Sequence, residues 1–399
     1  MEASTPFSNI PNEIIPLILL QLPMKAVIRF QCVCKQWRSW IDGSDFKLSY
    51  RGHRRVIILS RESWNDSTVF VGSTSRDLHL QRHKWPFGEA CGGVRYYVSV
   101  LCSCNGVVLL FARGDILLWN PSTRCLTKVL KWPRVIKDME SLAGLCYDSY
   151  TRDYKAVLLY QDFVDPLVIY ASLNHKEWRP VQFPVQFPYN SARGGIEFRN
   201  TFHWWVSDVN DCGWSYNWDL GWNRDRNYLS GGDRNMILYF DPVRDEFIIL
   251  PTPELRENDS SIVGLGVIDD CLSMACIVHK QENSKMQVLI MKEYGRQESW
   301  IAAFAIQMPG LGYIYGSYCL TFYSQKKNAQ DVLFLSRNVD WYGRKIYVYD
   351  RKKNKLKRDR VYFPPCRRYF GSMCFYVESF AWPDRPQWRG DDDKPSTNT

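Results

Sequence analysis

The feature that most constrains this fold is an apolar stretch near the N-terminus, Ile10–Ile41, which reads IPNEIIPLILLQLPMKAVIRFQCVCKQWRSWI. From Ile14 to Leu22 almost every residue is Ile, Leu or Pro. A helix over these positions is apolar on all sides, which an exposed helix of a soluble protein does not tolerate. The stretch therefore predicts a docking module whose surface is covered by another protein or by the following domain.

Three short helices are predicted within this stretch. The first begins after Asn12, which is a favourable N-terminal cap, and runs to Gln21. The second covers Lys25–Gln31, and the third covers Cys34–Ile41 and ends before Gly43. Three helices of this length bury too little apolar surface to be stable alone.

Several motifs of the stretch resemble the F-box, the helical motif that docks a ubiquitin-ligase subunit onto a Skp-type adaptor. They are IPNE at residues 10–13, Leu22-Pro23, Lys25, Arg29-Phe30 and CVCKQW at residues 32–37. The departures are Ile10, where the family commonly has Leu, and Pro16 inside the first helix. The resemblance implies that one set of residues builds the helices and the adaptor-facing surface: Ile10, Pro11, Ile14, Ile15, Leu19, Leu22, Pro23, Val27, Phe30, Cys34 and Trp37.

After Phe46 the pattern changes to short strand-like runs separated by polar turns. Aromatic residues make up 15% of the chain, and such side chains suit half-buried strands. Similar turns recur at intervals of 55, 54, 67, 53 and 56 residues, at Asn65, Asn120, Asn174, Asp241, Tyr294 and Asp350. Repeats of about 50 residues with four strands each are typical of propeller blades.

These patterns predict an α+β multidomain chain, with a small three-helix F-box followed by an all-β domain. A six-bladed kelch-like β-propeller is the preferred architecture, and a pair of β-sandwiches is the alternative. A propeller closes into a ring, so a strand within Met373–Trp382 is expected to pair with the strand near Val56–Ser60. The expected boundaries are a disordered N-terminus at 1–9, the F-box at 10–50, the β domain at 51–382 and a disordered tail at 383–399.

The β region resembles the F-box-associated domain of plant F-box proteins. The matching pieces extend from CNGVVLL at residues 104–110, through LWNPSTR at 118–124 and GLCYDSYTRDYKAV at 144–157, to YVESF at 376–380. Together with the F-box motifs they span nearly the whole chain. The glycine pairs do not follow the kelch pattern, so "kelch-like" describes the expected fold only.

The longest interval between turns contains a polar insertion rich in tryptophan, residues 206–235. Trp214, Trp218 and Trp222 lie four apart among Gly, Asn and Asp residues. Loops on rigid scaffolds often carry recognition, and exposed Trp is typical of interface anchors. These three residues are candidate target-binding residues, and the alternative is that their rings pack against the loop itself.

Composition and charge bear on the binding partner, the cellular compartment and the possibility of a membrane span. The net charge of +9 is a mild basic excess, which solubility explains as well as binding does. The 13 cysteines are irregularly spaced and no secretory signal is present, so free thiols in the cytoplasm or nucleus are expected. The apolar run at Ile14–Leu22 is half the length that a membrane span needs.

No catalytic motif is present in the sequence: there is no HExxH, no G-x-S-x-G and no P-loop. No cofactor, metal site or catalytic residue is therefore expected. The resemblance implies the substrate-recognition subunit of an SCF-type (Skp–cullin–F-box) ubiquitin ligase, which reaches cullin and its RING subunit through the adaptor and holds a protein target for degradation. The alternative is a propeller that binds nucleic acid or carbohydrate without a ligase role, although nucleic acid is the less favoured partner.

Overall fold

The computed structural model describes residues 10–63, 66–73, 80–83, 98–133, 142–160, 167–184, 192–206, 236–253, 260–278, 285–307, 320–324, 331–336, 345–357 and 372–382. The termini predicted to be disordered lie outside these residues. So does the segment that carries Trp214, Trp218 and Trp222.

The N-terminal region folds into four helices, one more than predicted. They are α1 (Ile14–Leu20), α2 (Met24–Phe30), α3 (Lys35–Asp42) and α4 (Ser44–Ser49). Asn12 does not cap α1, which begins two residues later without a side-chain cap. Cys34 does cap α3, because its sulfur accepts the backbone N–H of Trp37 at 3.4 Å.

The four helices enclose a small hydrophobic core of their own. Its members are buried residues from each helix together with two residues from outside them: Leu19, Met24, Val27, Ile41, Phe46, Tyr50 and Phe380. Phe380 comes from the far end of the chain. The C-terminal segment therefore contributes one residue to the core of the helical domain.

The rest of the described chain is built of twenty-four strands in five sheets, each made largely of antiparallel meanders. Sheet 1 has the order β24-β1-β2-β3, with β1 (Arg54–Ser63), β2 (Asp66–Ser73), β3 (Leu80–His83) and β24 (Met373–Val377). Sheet 2 contains β4 (Val98–Cys104), β5 (Val107–Ala112), β6 (Asp115–Asn120) and β7 (Cys125–Lys131). Sheet 3 contains β8 (Leu142–Asp148), β9 (Asp153–Tyr160), β10 (Leu167–Ser172) and β11 (Trp178–Pro180).

The two remaining sheets complete the β domain. Sheet 4 contains β12 (Ala192–Phe198), β13 (Thr201–Val206), β14 (Met236–Asp241) and β15 (Glu246–Leu250). Sheet 5 has eight strands in the order β19-β18-β17-β16-β20-β21-β22-β23. Its strands are β16 (Ser260–Ile268), β17 (Cys271–Val278), β18 (Lys285–Met291), β19 (Trp300–Ile306), β20 (Leu320–Ser324), β21 (Asp331–Ser336), β22 (Lys345–Asp350) and β23 (Lys355–Lys357).

The sheets are arranged like the blades of a propeller. The strands β24, β4, β8, β12, β16 and β20 contact one another in that succession. Tyr323 of β20 then packs against Phe375 of β24, with 6.0 Å between ring centroids. Three hydrophobic clusters fill spaces between neighbouring sheets, and a fourth consists of residues of sheet 5 alone.

The predicted closure is confirmed. The C-terminal strand β24 pairs antiparallel with β1, from Arg54 opposite Val377 to Ile58 opposite Met373. The first and last strands of the β domain thus belong to the same sheet.

The prediction of six separate blades is not matched by the hydrogen bonding, which gives four sheets of four strands and one of eight. Two four-stranded meanders merge in sheet 5 because β16 and β20 pair in parallel, from Gly264 opposite Leu320 to Val267 opposite Tyr323. A Cβ atom at Gly266 would overlap the ring and backbone oxygen of Phe322. The absence of side chains at Gly264 and Gly266 is what allows the two strands to approach.

The turns that recur in the sequence share one place in the fold. Asn120, Asn174, Asp241, Tyr294 and Asp350 lie at the turns β6–β7, β10–β11, β14–β15, β18–β19 and β22–β23. Asn65 lies outside the described residues. The long interval before Asp241 arises because residues 207–235 lie between β13 and β14.

Three of these turns are built in the same way. The Oδ1 atom of Asn120, Asp241 or Asp350 accepts the backbone N–H groups two and three residues further on, at 2.9 to 3.3 Å. The residue four positions after each is left-handed, with φ between 48° and 63°: Arg124, Asp245 and Asn354. A short polar side chain at the start of a tight turn therefore generates the periodicity seen in the sequence.

Adding a side chain where β16 meets β20 tests the basis of the eight-stranded sheet. We expect Gly264→Ala and Gly266→Ala each to lower the free energy of unfolding by about 1–3 kcal/mol, because the added methyl group overpacks the strand pair. Chemical denaturation measures the change. Ala302→Ser on the exposed side of β19, in the same sheet, serves as the control and should have little effect. Unchanged stability of both glycine variants would contradict the close pairing.

Candidate docking surface

The helical domain exposes an unusual amount of apolar surface. Ten large hydrophobic side chains are exposed in the part of the chain that the structure describes, and six of them lie in this small domain: Ile10, Ile14, Leu17, Ile18, Ile28 and Val33. Their exposed fractions are 43% to 57%. A concentration of this kind marks an interaction site, whereas single exposed apolar residues need no explanation.

Helix α1 contributes half of this surface. Ile14, Leu17 and Ile18 are three or four residues apart and so share one face of the helix. Leu19 points the other way and is 1% exposed. The helix is apolar on both sides because one side packs in the domain core and the other is open to a partner.

The predicted adaptor-facing residues fall into three groups. Leu19 and Val27 are buried in the core of the domain and cannot contact a partner without rearrangement. Four residues are half-buried and pack against that core: Ile15, Leu22, Phe30 and Trp37. Five are exposed: Ile10, Pro11, Ile14, Pro23 and Cys34.

Sequence reasoning missed four of the most exposed apolar residues, Leu17, Ile18, Ile28 and Val33. When a helix is apolar on all sides, its sequence does not indicate which side packs in the core of the domain. The edge-on contact between Phe30 and Trp37, with ring centroids 5.4 Å apart, fixes how α2 and α3 pack and hence which side is left open.

The helices are fastened to the β domain through aromatic packing. The ring of Phe380 lies 4.9 Å from that of Tyr50 and 6.5 Å from that of Phe46. The hydroxyl of Tyr50 donates to the backbone oxygen of Leu22 at 2.9 Å. Burial, reinforced by the negative charge of Glu378, raises the pKa of Tyr50 well above its ordinary value, so this donor stays protonated.

Residues Glu378–Ala381, which we name the C-terminal connector, contact the F-box through Phe380 and also bind the linker after α4 and sheet 2. Glu378 exchanges backbone hydrogen bonds with Gly52 and His53 at 2.8 and 2.9 Å, and its carboxylate pairs with Arg55 at 2.9 Å. On the other side, the Nδ2 group of Asn120 donates to the backbone oxygens of Ser379 and Ala381 at 3.0 and 2.9 Å.

A second connection runs from the linker after α4 to sheet 2. The guanidinium of Arg51 donates to Oδ1 of Asn105 at 2.7 Å, in the turn between β4 and β5. Asp45 and Arg152 also approach to 3.7 Å, but both are exposed and such a pair adds little stability. The helical domain is thus held in one orientation by the connector and by Arg51.

Metal-binding clusters, disulfides and membrane-spanning helices are absent from the described residues. No group of three or more His, Cys, Asp or Glu side chains that could hold a metal ion is found within the described ranges. The nine cysteines that the structure describes are free thiols. None of the described helices is both long enough and apolar enough to span a membrane.

The sequence profile of the F-box domain matches residues 7–49, and Ser49 is the last residue of α4. These residues are an F-box domain. An F-box/kelch-repeat protein of Arabidopsis thaliana is 28% identical over 325 residues, which cover 76% of this chain and 80% of the relative. F-box protein CPR1 of the same plant is 27% identical over 336 residues, which cover 76% of this chain and 74% of the relative.

The chain is therefore similar to plant F-box proteins over both its F-box domain and its C-terminal β domain. Among solved structures, a chain of the Nidogen/Laminin complex superposes with a TM-score of 0.46 at 9% identity, covering 82% of this chain and 99% of that chain. That likeness is too remote to bear on function. The exposed apolar surface described above lies within the residues that the F-box profile matches.

The dependence of the F-box core on the C-terminal connector can be tested by removing one ring. We expect Phe380→Ala to lower the free energy of unfolding by about 3 kcal/mol. Hydrogen exchange should accelerate at the amides of α1 and α2 more than in sheets 3 and 5, because the lost ring belongs to the F-box core. Tyr150→Ala removes an aromatic side chain that is 87% exposed and serves as the control. Unchanged exchange in the F-box of Phe380→Ala would contradict the assignment.

Proposed function

We propose that this F-box protein is the substrate-recognition subunit of an SCF-type E3 ubiquitin ligase. The observation that carries the proposal is the exposed apolar surface of the F-box, which the described residues leave uncovered. A Skp-type adaptor covers that surface and links the chain to cullin and its RING subunit in the cytoplasm or nucleus. The chain is not an enzyme in this proposal, because its contribution is the proximity and orientation of the target.

The firm attachment between the two domains supports this role. Transfer of ubiquitin needs a target held within reach of a conjugating enzyme on the same scaffold. The F-box is held at a defined angle to the β domain by the connector, which includes Phe380, and by Arg51. A target bound to the β domain is then presented in a defined direction.

The adaptor-facing surface consists, in our proposal, of the exposed residues and not of the whole predicted set. Leu19 and Val27 support the helices from inside. The contacts are made by Ile10, Pro11, Ile14, Leu17, Ile18, Pro23, Ile28, Val33 and Cys34, with Ile15, Leu22, Phe30 and Trp37 at their margins.

We further propose that the β domain is a six-bladed propeller in which β16–β19 and β20–β23 count as two blades. Support comes from the parallel pairing of β16 with β20, because the innermost strands of neighbouring blades run in the same direction. Each of these meanders also has four strands, like the other sheets.

The target site is proposed to lie on the side of the β domain away from the F-box. The turn before β5 contacts Arg51 of the F-box linker, and β13 is the equivalent second strand of its own sheet. Both strands therefore begin on the F-box side of the β domain. The last residue of β13, Val206, and the first residue of β14, Met236, lie on the opposite side. Trp214, Trp218 and Trp222 lie in the sequence between these two residues.

Disrupting the exposed face of α1 tests the adaptor proposal. We expect Leu17→Asp and Ile18→Asp each to weaken binding of a purified Skp-type adaptor by about thirty-fold or more, as for the loss of a central interface residue. Calorimetry measures the affinity, and circular dichroism checks the fold. Ile249→Asp is the matched control, because this isoleucine is 48% exposed on the β domain. The proposal fails if the wild-type chain does not bind the adaptor, or if both α1 variants bind it as well as the control.

Replacing the three tryptophans tests the target proposal separately. In a chain whose F-box is disabled by Leu17→Asp, targets are held and not degraded, and proximity labelling can identify them. We expect Trp214→Ala, Trp218→Ala and Trp222→Ala together to reduce the labelling of those targets. In the chain with an intact F-box, the same substitutions should leave adaptor binding unchanged. Undiminished labelling would place the target site elsewhere.

A further inference from the structure

Three positively charged side chains stand beside the apolar residues Ile28 and Val33. Lys25 and Arg29 lie on α2, where positions 25, 28 and 29 share one face. Lys35 is the first residue of α3, two positions after Val33. All three are exposed.

These cations have no carboxylate within 4 Å among the residues that the structure describes, unlike their neighbours on the same domain. Arg38 approaches Asp42 at 3.6 Å, and Lys47 approaches the same carboxylate at 3.8 Å. The only acidic residue of α3 is therefore already shared between two other cations. Within the part of the chain that the structure describes, Lys25, Arg29 and Lys35 therefore form no ion pair.

Their positions are unfavourable in the free chain. Lys25 and Arg29 are four residues apart on one helix, a spacing at which like charges repel. Lys25 and Lys35 lie in the first turns of α2 and α3, at the positive ends of the helix dipoles, and neither first turn contains an acidic residue. A bound partner that brings negative charge would relieve all of these repulsions together.

We propose that the adaptor presents a cluster of carboxylates to Lys25, Arg29 and Lys35, next to the apolar site that receives Ile28 and Val33. This inference rests on the proposed function and adds the chemistry of the adaptor's surface. The apolar contacts supply most of the affinity, while the charges speed and orient the encounter. A nucleic acid fits less well, because Ile28 and Val33 offer bases no aromatic ring on which to stack.

Charge reversal on α2 tests the inference through the association rate. We expect the double variant Lys25→Glu, Arg29→Glu to associate with a purified Skp-type adaptor about ten-fold more slowly at low ionic strength. The wild-type rate should fall as salt is added, and the variant's rate should change little. The free variant should have a stability close to that of the wild type, because both positions are exposed and the substitutions replace one like-charged pair with another.

The control variant is Lys131→Glu, Lys285→Glu, which reverses two exposed lysines of the β domain. It lowers the formal net charge from +9 to +5, as the α2 variant does. Its association rate should stay within about two-fold of the wild type at the same ionic strength, since the steering is local. An equal slowing of both variants would overturn the inference and leave only an effect of net charge.

Zero-length crosslinking of the wild-type complex gives a second, independent measurement. A carbodiimide joins a lysine amine to a carboxylate as an amide with loss of water, so it reports direct contact. Peptides that link Lys25 or Lys35 to an aspartate or glutamate of the adaptor would support the inference. If the adaptor binds but neither the link nor the rate change is seen, the inference is wrong and the proposed function stands. If the wild-type chain does not bind the adaptor, the proposed function is wrong, and competition by a single-stranded oligonucleotide would assign the cations to nucleic acid.

Discussion

The pairing of the last strand with the first is the interaction on which the rest of this structure depends. It joins β24 to β1, completes sheet 1 and brings Glu378–Ala381 against the F-box. From there Phe380 enters the helical core, while Ser379 and Ala381 are held by Asn120. One short segment therefore closes the β domain and fixes the docking module to it.

The F-box shows which parts of a fold local sequence can predict. The starts and ends of α1, α2 and α3 are predicted to within two residues from proline and glycine signals, although the predicted cap Asn12 does not cap α1. Helix α4 was missed because its six residues carry no apolar periodicity. The sequence does not predict which face of α1 is buried, because Leu17, Ile18 and Leu19 are all large aliphatic residues. They differ only in the parts of the structure that they face.

The β domain likewise has some features that the sequence predicts and others that it does not. The repeat of its turns was predictable because the turns at Asn120, Asp241 and Asp350 use the same local hydrogen bonds. Such bonds need Asn or Asp at the start of the turn, and the sequence shows these residues. The merging of two meanders at β16 and β20 was not predictable, because it depends on two glycines whose only contribution is the space they leave. The adaptor cover for the F-box was predicted for the apolar stretch as a whole, yet the chain's own Phe380 covers part of it.

The position of Phe380 has a consequence for how this protein matures. His53 and Glu378, which flank the same junction, are 325 positions apart in sequence. During synthesis the F-box leaves the ribosome before the β domain, and its core lacks a ring until Phe380 has been made. A product truncated before Phe380 would carry the four helices without their last core residue, so completion of the F-box core is coupled to completion of the β domain.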